Sequence, residues 1–262
     1  MLISPIALRL GPLNIRWYAI LIILGIVIGV LTACKEAKKH LFPIAAIVDF
    51  VIYTLPLWLL GARLYYVIFN FSYYFKNPAE IFAIWHGGLA IYGGLIVGII
   101  CLFIFCKKQQ LSFFKFLDIL VPSVLLAQII GRWGNFFNQE AYGFTTNKSF
   151  LHKTLHLPKF IVEGMNIDGT YYQPTFLYES LWNLLGLLLI LLLRRWKNFY
   201  RQGEIFWHYV AWYSFGRFFI EEMRSDSLMI FHSIRISQVL SLIFFFLALA
   251  FAYHRRKNLC LN

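Results

Sequence analysis

Charged residues are scarce in this chain of 262 residues, because Asp, Glu, Lys and Arg together make up only 14% of it. A soluble domain usually carries about 25%. Cysteine is also rare, at four residues, which excludes a small scaffold held by disulfides. Hydrophobic residues make up 60% of the chain, and the mean hydropathy is +0.67. These values exclude a cytosolic globule and a disordered chain, and they predict a polytopic membrane protein.

Acidic residues are the scarcer charge, with 12 Asp and Glu against 24 Lys and Arg, for a net charge of +12. In a soluble protein such a basic balance would indicate a nucleic-acid partner. In a chain this apolar, the excess is better explained by basic loops beside a membrane. We therefore predict no nucleic-acid partner.

Seven apolar stretches are long enough to cross a bilayer core of about 30 Å. They lie near residues 15–34, 47–69, 88–106, 113–131, 175–193, 205–222 and 236–253. Each is expected to be helical, because unpaired backbone groups are costly in hydrocarbon. The fold class predicted is an all-α integral membrane protein with seven transmembrane helices. The chain has no evident repeat or linker, so residues 1–262 are predicted to form a single transmembrane domain.

Basic residues cluster after the first, third, fifth and seventh stretches. They are Lys35, Lys38, Lys39, Lys107, Lys108, Lys115, Arg194, Arg195, Lys197, Arg201, Arg255, Arg256 and Lys257. With seven spans, all of them fall on one side of the membrane. The positive-inside rule then predicts an N-terminus outside and a C-terminus in the cytoplasm.

The longest connecting segment, residues 132–174, is rich in polar residues and also contains apolar ones. It is too long for a simple connector. We predict a small extracytoplasmic head loop there, lying on the bilayer surface. The segment from Ser4 to Ile15 is predicted to lie on the same side.

An apolar run ending in Leu31-Thr32-Ala33-Cys34 also matches the signal of a bacterial lipoprotein. The basic cluster that follows the run and the six later spans favour a transmembrane helix instead. Cys34, Cys101, Cys106 and Cys260 all fall near the predicted cytoplasmic side, so disulfides are not expected. His152 and His156 lack carboxylate or thiolate partners nearby in sequence, and no metal site is predicted.

Few charges fall inside the spans, and such charges usually face a protein interior or a cavity. Arg217 and Glu221 are four residues apart and therefore share a helix face, where they can form an ion pair. Arg63 and Glu179 are predicted to form a second, structural pair. An ion pair that orients Arg217 could also release it to an anionic ligand.

The densest polar stretch runs from Gly131 to Gly143, at the end of the fourth span. Arg132 supplies a planar fork of donors that suits phosphate. Asn135 and Asn138 add neutral donors, and Glu140 adds an acceptor or base. A polar helix cap is the alternative, but it does not explain so many donors beside a lipid surface.

A second glycine-rich stretch, Trp85 to Leu95, begins the third span. Its paired glycines would permit close helix packing. His86 and Tyr92 are its titratable groups.

The stretch Gly-Arg-Trp-Gly-Asn-Phe-Phe-Asn-Gln-Glu-Ala-Tyr-Gly, residues 131–143, resembles the signature of the phosphatidylglycerol–prolipoprotein diacylglyceryl transferase family. Further resemblances follow in the family's order along the whole chain. They are Arg16-Trp17-Tyr18, Gly61-Ala62-Arg63, Gln173-Pro174 to Glu179, and Tyr213 to Arg224. Gln173 and Thr175 depart from the family's His-Pro-Ser.

One departure bears on mechanism. The family's third span usually has Asp-Gly-Gly followed by His-Gly-Gly, and that histidine is regarded as functional. This chain has His86-Gly87-Gly88 followed by Tyr92-Gly93-Gly94. Tyr92 therefore occupies the usual histidine position, which puts in doubt a mechanism that needs an imidazole there.

The resemblance implies an enzyme of the bacterial cytoplasmic membrane that acts in lipoprotein maturation. Its partners would be phosphatidylglycerol and a prolipoprotein, whose lipobox cysteine accepts the diacylglyceryl group as a thioether while glycerol-1-phosphate leaves. No metal or organic cofactor is implied. The catalytic residues would be Arg132, Asn135, Glu140, Arg217, Tyr92 and His86. Lipid contacts would come from Arg132, Arg217, Tyr18, Asn138 and Gly143, with Arg63, Glu179 and Glu221 in support.

Two other functions compete with the transferase. A lipid transporter or flippase could use the same intramembrane Arg and Glu residues as a substrate path, and a polar path reaching the cytoplasmic face would favour it. A non-catalytic membrane scaffold is the other alternative.

Overall fold

The computed structural model describes residues 4–11, 13–196, 199–225, 229–230 and 234–259. Lys197, which belongs to a basic cluster, and Cys260, one of the four cysteines, lie outside the described residues. Two compact units make up the chain. Met1–Thr32 with Leu117–Asn262 form the first unit, and Ala33–Phe116 form the second.

In the described part of the chain, seven long helices occupy the seven apolar stretches. They are α1 (Trp17–Lys39), α2 (Ile44–Phe69), α4 (Ile91–Lys108), α5 (Phe113–Asn138), α7 (Thr175–Leu193), α8 (Glu204–Met223) and α9 (Ile236–Leu259). Two short helices, α3 (Phe71–Lys76) and α6 (Lys159–Gly164), lie between them. Six of these seven long helices are apolar enough, as well as long enough, to cross a membrane. The exception, α8, contains Glu204, Arg217, Glu221 and Glu222.

The chain is therefore a largely helical protein with several apolar helices of membrane-spanning length, as its composition predicts. Helix α7 has the predicted bounds, 175–193. Helix α5 continues to Asn138, seven residues beyond the predicted end of its apolar stretch. Arg132, Asn135 and Asn138 are consequently helical rather than part of a loop.

Helices α7 and α8 are joined by two tryptophans that exchange hydrogen bonds. The Trp182 indole N–H donates to the carbonyl of Trp212 at 3.0 Å, and the Trp212 indole donates to the carbonyl of Trp182 at 3.0 Å. The two rings stack with centroids 4.3 Å apart. Gly216 faces Trp182 and Gly186 faces Trp212, so each indole occupies space that a Cβ would fill.

The segment after α5 packs on a small apolar core of its own. Phe136, Leu151, Ile161, Val162, Met165 and Phe176 are buried together there. Short strands β3 (Thr145–Thr146), β4 (Asn166–Ile167) and β5 (Thr170–Tyr172) form an antiparallel sheet in the order β3-β5-β4. A π-helical turn, Phe150–Thr154, lies between β3 and α6.

Two hairpins complete the first unit, and the sequence patterns did not predict them. Strands β1 (Ile6–Leu10) and β2 (Leu13–Arg16) pair antiparallel directly before α1. Strands β6 (Met229–Ile230) and β7 (Ile234–Arg235) pair antiparallel before α9.

In the second unit, α2 and α4 approach closely at glycines. A Cβ at Gly61 would meet the side chain of Val97, and one at Gly94 would meet the indole of Trp58. This is the close packing that the paired glycines predict. Cys34, Cys101 and Cys106 are unpaired thiols.

We expect Gly216→Ala to destabilise the protein, because the new Cβ would overlap the Trp182 indole, which a hydrogen bond holds in place. Overpacking of this kind costs about 1–3 kcal/mol. Thermal unfolding in detergent measures the effect. Gly98→Ala is the matched control, because its Cβ would lie at an ordinary 3.5 Å from Trp58. Equal midpoints for the two variants would contradict the predicted role of this contact.

Candidate active site

A connected polar network joins the end of α5, the start of α7 and the second half of α8. All of its members belong to the first unit. Helix α5 supplies Arg132 and Asn135, α7 supplies Glu179, and α8 supplies Tyr213, Arg217 and Glu221. The spacing of three or four residues within α5 and α8 places those side chains on one face of each helix.

Glu179 is the centre of this network. One carboxylate oxygen, Oε1, lies 2.5 Å from Nη2 of Arg132, and the other, Oε2, lies 3.1 Å from Nη1 of Arg217. Glu179 is buried, with 4% of its side chain exposed, whereas Arg132 and Arg217 are 21% and 16% exposed. The two arginine side chains are thus more accessible than the glutamate side chain between them.

The predicted pair of Arg217 and Glu221 on α8 is confirmed. Nη2 of Arg217 contacts Oε2 of Glu221, which is also buried. Arg224 lies 4.0 Å from the same carboxylate oxygen, and Arg235 donates to the backbone carbonyl of Glu221. Arg217 therefore bridges two buried carboxylates on different helices.

A second branch of the network leads from Arg132 to Glu140. Nη1 of Arg132 donates to Oδ1 of Asn135 at 3.4 Å, and Nδ2 of Asn135 donates to Oε1 of Glu140 at 2.9 Å. Asn138 donates to the same Glu140 oxygen at 3.4 Å. Glu140 itself is exposed. The predicted polar stretch is therefore one hydrogen-bonded unit built on the last turns of α5.

Tyr18 on α1 packs against the same turns. A Cβ at Gly134 would lie 2.6 Å from a carbon of the Tyr18 ring, so glycine is needed for this approach. Tyr18 is also close enough to interact electrostatically with Glu140 and Arg132. These contacts bring together Tyr18, Arg132, Asn135 and Glu140, four of the residues that the sequence singles out.

Tyr213 is a network member that was not among the predicted site residues. Its hydroxyl donates to Oε1 of Glu179 at 3.3 Å. Its position four residues before Arg217, on the same helix face, was the available signal. Its ring also stacks on that of Tyr209, one turn earlier, at 6.0 Å between centroids.

The predicted ion pair between Arg63 and Glu179 is wrong. Arg63 instead donates to backbone carbonyls of the segment 80–88, including Ile81 at 2.9 Å and Gly87 at 2.6 Å. Gly87 and Gly88 have positive φ angles, and a Cβ at Gly88 would lie 2.6 Å from Nη1 of Arg63. A guanidinium has five donors and can satisfy several carbonyls of an irregular segment at once. Arg63 thus holds the backbone of the His86-Gly87-Gly88 motif.

Three further predicted site residues are Gly143, His86 and Tyr92. Gly143 forms a backbone hydrogen bond to the carbonyl of Gln173 at 2.9 Å and leaves little room for a side chain beside Thr175. His86 ends a short 3₁₀ turn and Tyr92 lies in the first turn of α4, both in the second unit. Their catalytic roles, and the lipid contact of Gly143, stay predictions.

The arrangement suits an anionic ligand better than a metal. No cluster of three or more His, Cys, Asp or Glu side chains with metal-binding geometry occurs among the described residues. Two partly exposed arginines that converge on one buried carboxylate can also present their donors to a phosphate. Amide and carboxylate groups of Asn135 and Glu140 lie beside them.

Known proteins that are similar to this chain identify its family. The sequence model of the prolipoprotein diacylglyceryl transferase family matches residues 5–254. A phosphatidylglycerol–prolipoprotein diacylglyceryl transferase of Lactobacillus acidophilus is 52% identical over 98% of this chain and 91% of its own length. Proteins of the same name from Listeria welshimeri and Enterococcus faecalis are 50% and 51% identical, over 98% of this chain and 91% and 92% of their own lengths. These matches show that the chain belongs to the prolipoprotein diacylglyceryl transferase family.

Proposed function

We propose that this protein transfers the diacylglyceryl group of phosphatidylglycerol to the lipobox cysteine of a prolipoprotein. The sulfur forms a new bond to the glyceryl carbon, the bond from that carbon to the phosphate oxygen breaks, and glycerol-1-phosphate leaves. The thiol proton must be lost as the thioether forms. The relatives named above carry the names of both substrates.

The observation that carries the proposal is the convergence of Arg132 and Arg217 on Glu179. Both arginine side chains are partly exposed, and both are already oriented by the Glu179 carboxylate. A phosphate diester carries one negative charge and oxygens that can accept from both forks. It could therefore take over donors that now point to the carboxylate.

Such a phosphate site would also assist the reaction itself. As the bond from carbon to oxygen breaks, negative charge grows on the departing phosphate. Oriented arginines in a site shielded from water stabilise that charge more strongly than bulk water does. The thiol is a better nucleophile as a thiolate, and the same positive field would lower the cost of forming it.

The neighbouring residues then have supporting roles. Asn135 and Glu140 orient the head group or the thiol through their shared hydrogen bond. Tyr18, whose ring packs on Gly134, contributes a lipid contact beside them. Asn138 and Gly143 contribute further lipid contacts in this proposal, and Glu221 keeps Arg217 in place.

The proposal includes seven spans in one catalytic domain, residues 1–262, in the bacterial cytoplasmic membrane. Helix α8 is then the sixth of the seven spans. Three of its charged residues are paired inside the protein, Arg217 with Glu179 and Glu221, and Glu204 with Arg256 of α9. The N-terminus and the segment 132–174 lie outside, and the C-terminus lies in the cytoplasm.

A transporter would need a polar path across the membrane. Below the arginines, polar side chains continue for one helical turn, with Gln128 bonded to Tyr209 at 2.9 Å. The next layer is apolar and buried. It consists of Val121, Leu125, Leu187, Ile190 and Ile205. A site closed on that side favours an enzyme over a flippase.

The activity can be measured with purified protein, phosphatidylglycerol and a lipobox peptide. We expect the peptide cysteine to gain the mass of a diacylglyceryl group and glycerol phosphate to be released in equal amount. A peptide with serine in place of that cysteine should gain nothing. Lipid movement between leaflets without any mass gain would instead support the flippase.

Replacing either arginine, as Arg132→Lys or Arg217→Lys, keeps the positive charge and removes the planar fork of guanidinium donors. Hydrogen bonds to charged groups contribute about 1.5–3 kcal/mol each. We therefore expect kcat/KM for transfer to fall by about 10-fold to 100-fold in each variant. Arg256→Lys is the matched control, because Arg256 also pairs with a buried glutamate, Glu204, but at the far end of α8. Full activity in both lysine variants would contradict the proposed phosphate site.

The orientation is testable with a thiol reagent that does not cross membranes. In intact cells we expect no labelling of the native cysteines, which are all predicted to face or approach the cytoplasm. Ser149→Cys, at an exposed position of the segment 132–174, should be labelled. The reverse pattern would contradict the proposed orientation.

A further inference from the structure

Glu179 now accepts from the two arginines that the lipid phosphate would contact in the proposed function. Its two carboxylate oxygens accept from Arg132 and from Arg217 on opposite sides. If both arginines turn their forks to a phosphate, as the proposed function requires, a second anion arrives beside a buried carboxylate. Like charges at such short distance in a medium of low dielectric constant repel strongly. We infer that Glu179 then releases at least one arginine.

A released carboxylate that stays buried needs new donors. Leaving a buried charge without a partner costs far more than the loss of an ordinary hydrogen bond. One donor is already in place, because the Tyr213 hydroxyl lies 3.3 Å from Oε1. A second donor is required to replace a guanidinium.

Asn183 has a spare donor at the right position. It lies one turn after Glu179 on α7 and is fully buried, at 0% exposure. Among the described residues, neither its amide nitrogen nor its amide oxygen has a hydrogen-bond partner. An unsatisfied amide in a protein interior is costly, and such groups are rare.

Helix geometry places Asn183 on the same face of α7 as Glu179. Residues four apart share a helix face, and side chains lean toward the N-terminal end of their helix. The side chain of Asn183 therefore leans over the turn that carries Glu179. Ser180, between the two, donates to the carbonyl of Ile129 at 3.3 Å, which places this part of α7 against α5.

We propose that Asn183 is a positioning residue that receives the Glu179 carboxylate when phosphatidylglycerol binds. In the free enzyme, Glu179 holds the two arginines in the geometry that phosphate needs. In the lipid complex, the phosphate takes the arginines, and Glu179 is held by Asn183 and Tyr213. Asn183 does not touch the substrate. The inference depends on the proposed phosphate site.

The test is a double-mutant cycle on lipid affinity with Asn183→Leu and Glu179→Gln. The apparent Kd for phosphatidylglycerol is measured in detergent micelles by native mass spectrometry, with diacylglycerol as the reference lipid without phosphate. We expect Asn183→Leu to weaken phosphatidylglycerol binding by about 10-fold in the otherwise unchanged protein. With Glu179→Gln present, no carboxylate has to be received, and the same change should have less than about a 2-fold effect.

Ser123→Ala is the matched control for burial. Ser123 is a buried residue of α5 whose hydroxyl also lacks a partner among the described residues. Its replacement should leave the Kd unchanged in both backgrounds. Asn183→Asp, which keeps the size but removes the amide donor and adds a like charge, should weaken binding more than Asn183→Leu. It also keeps the test usable if the leucine variant fails to fold.

An equal loss of affinity from Asn183→Leu in both backgrounds would overturn the inference, because it would indicate a merely structural role. Unchanged affinity of the Asn183→Leu variant in the protein that keeps Glu179 would overturn it as well. Failure of the proposed function gives a different result. In that case the unmodified protein would bind phosphatidylglycerol no better than diacylglycerol.

Discussion

The structure of the site depends on one buried carboxylate shared by two arginines. Glu179 on α7 ties Arg132 of α5 to Arg217 of α8. Each of these charges would be expensive to bury alone, so the three helices must meet where the charges compensate one another. The interaction thus fixes the relative positions of α5, α7 and α8, and it also orients two guanidinium forks for an anion. Fold and proposed chemistry depend on the same contact.

Packing around this contact uses glycine and tryptophan for different purposes. Gly216, next to Arg217 in sequence, leaves space for the Trp182 indole. The reciprocal indole hydrogen bonds hold α7 against α8. Gly134, two residues after Arg132, admits the ring of Tyr18. In hydrocarbon, helices gain little from burying apolar surface, and close approach with internal hydrogen bonds supplies the stability instead. These packing residues are neighbours of the charged ones, which keeps the arginines in fixed positions.

Sequence reasoning predicted the long helices well because most of them are continuous apolar runs, as 175–193 shows for α7. It predicted the pair of Arg217 and Glu221 because a spacing of four within one helix is a local property. It paired Arg63 with Glu179 wrongly, because contacts between helices depend on rotation and depth, which apolar runs do not encode. The short strands were missed for a related reason. Two-residue strands such as β3 have too few positions for an alternating pattern, and their pairing is set by the small core of Leu151, Ile161 and Phe176.

The central claim is that the two arginines now shared by Glu179 hold the phosphate of phosphatidylglycerol. The most direct test is a structure of the protein in nanodiscs that contain this lipid, determined by cryo-electron microscopy. The account predicts a lipid phosphate within hydrogen-bonding distance of both Arg132 and Arg217, with Glu179 withdrawn from at least one of them. A phosphate bound elsewhere, with Glu179 still bridging both arginines, would contradict it.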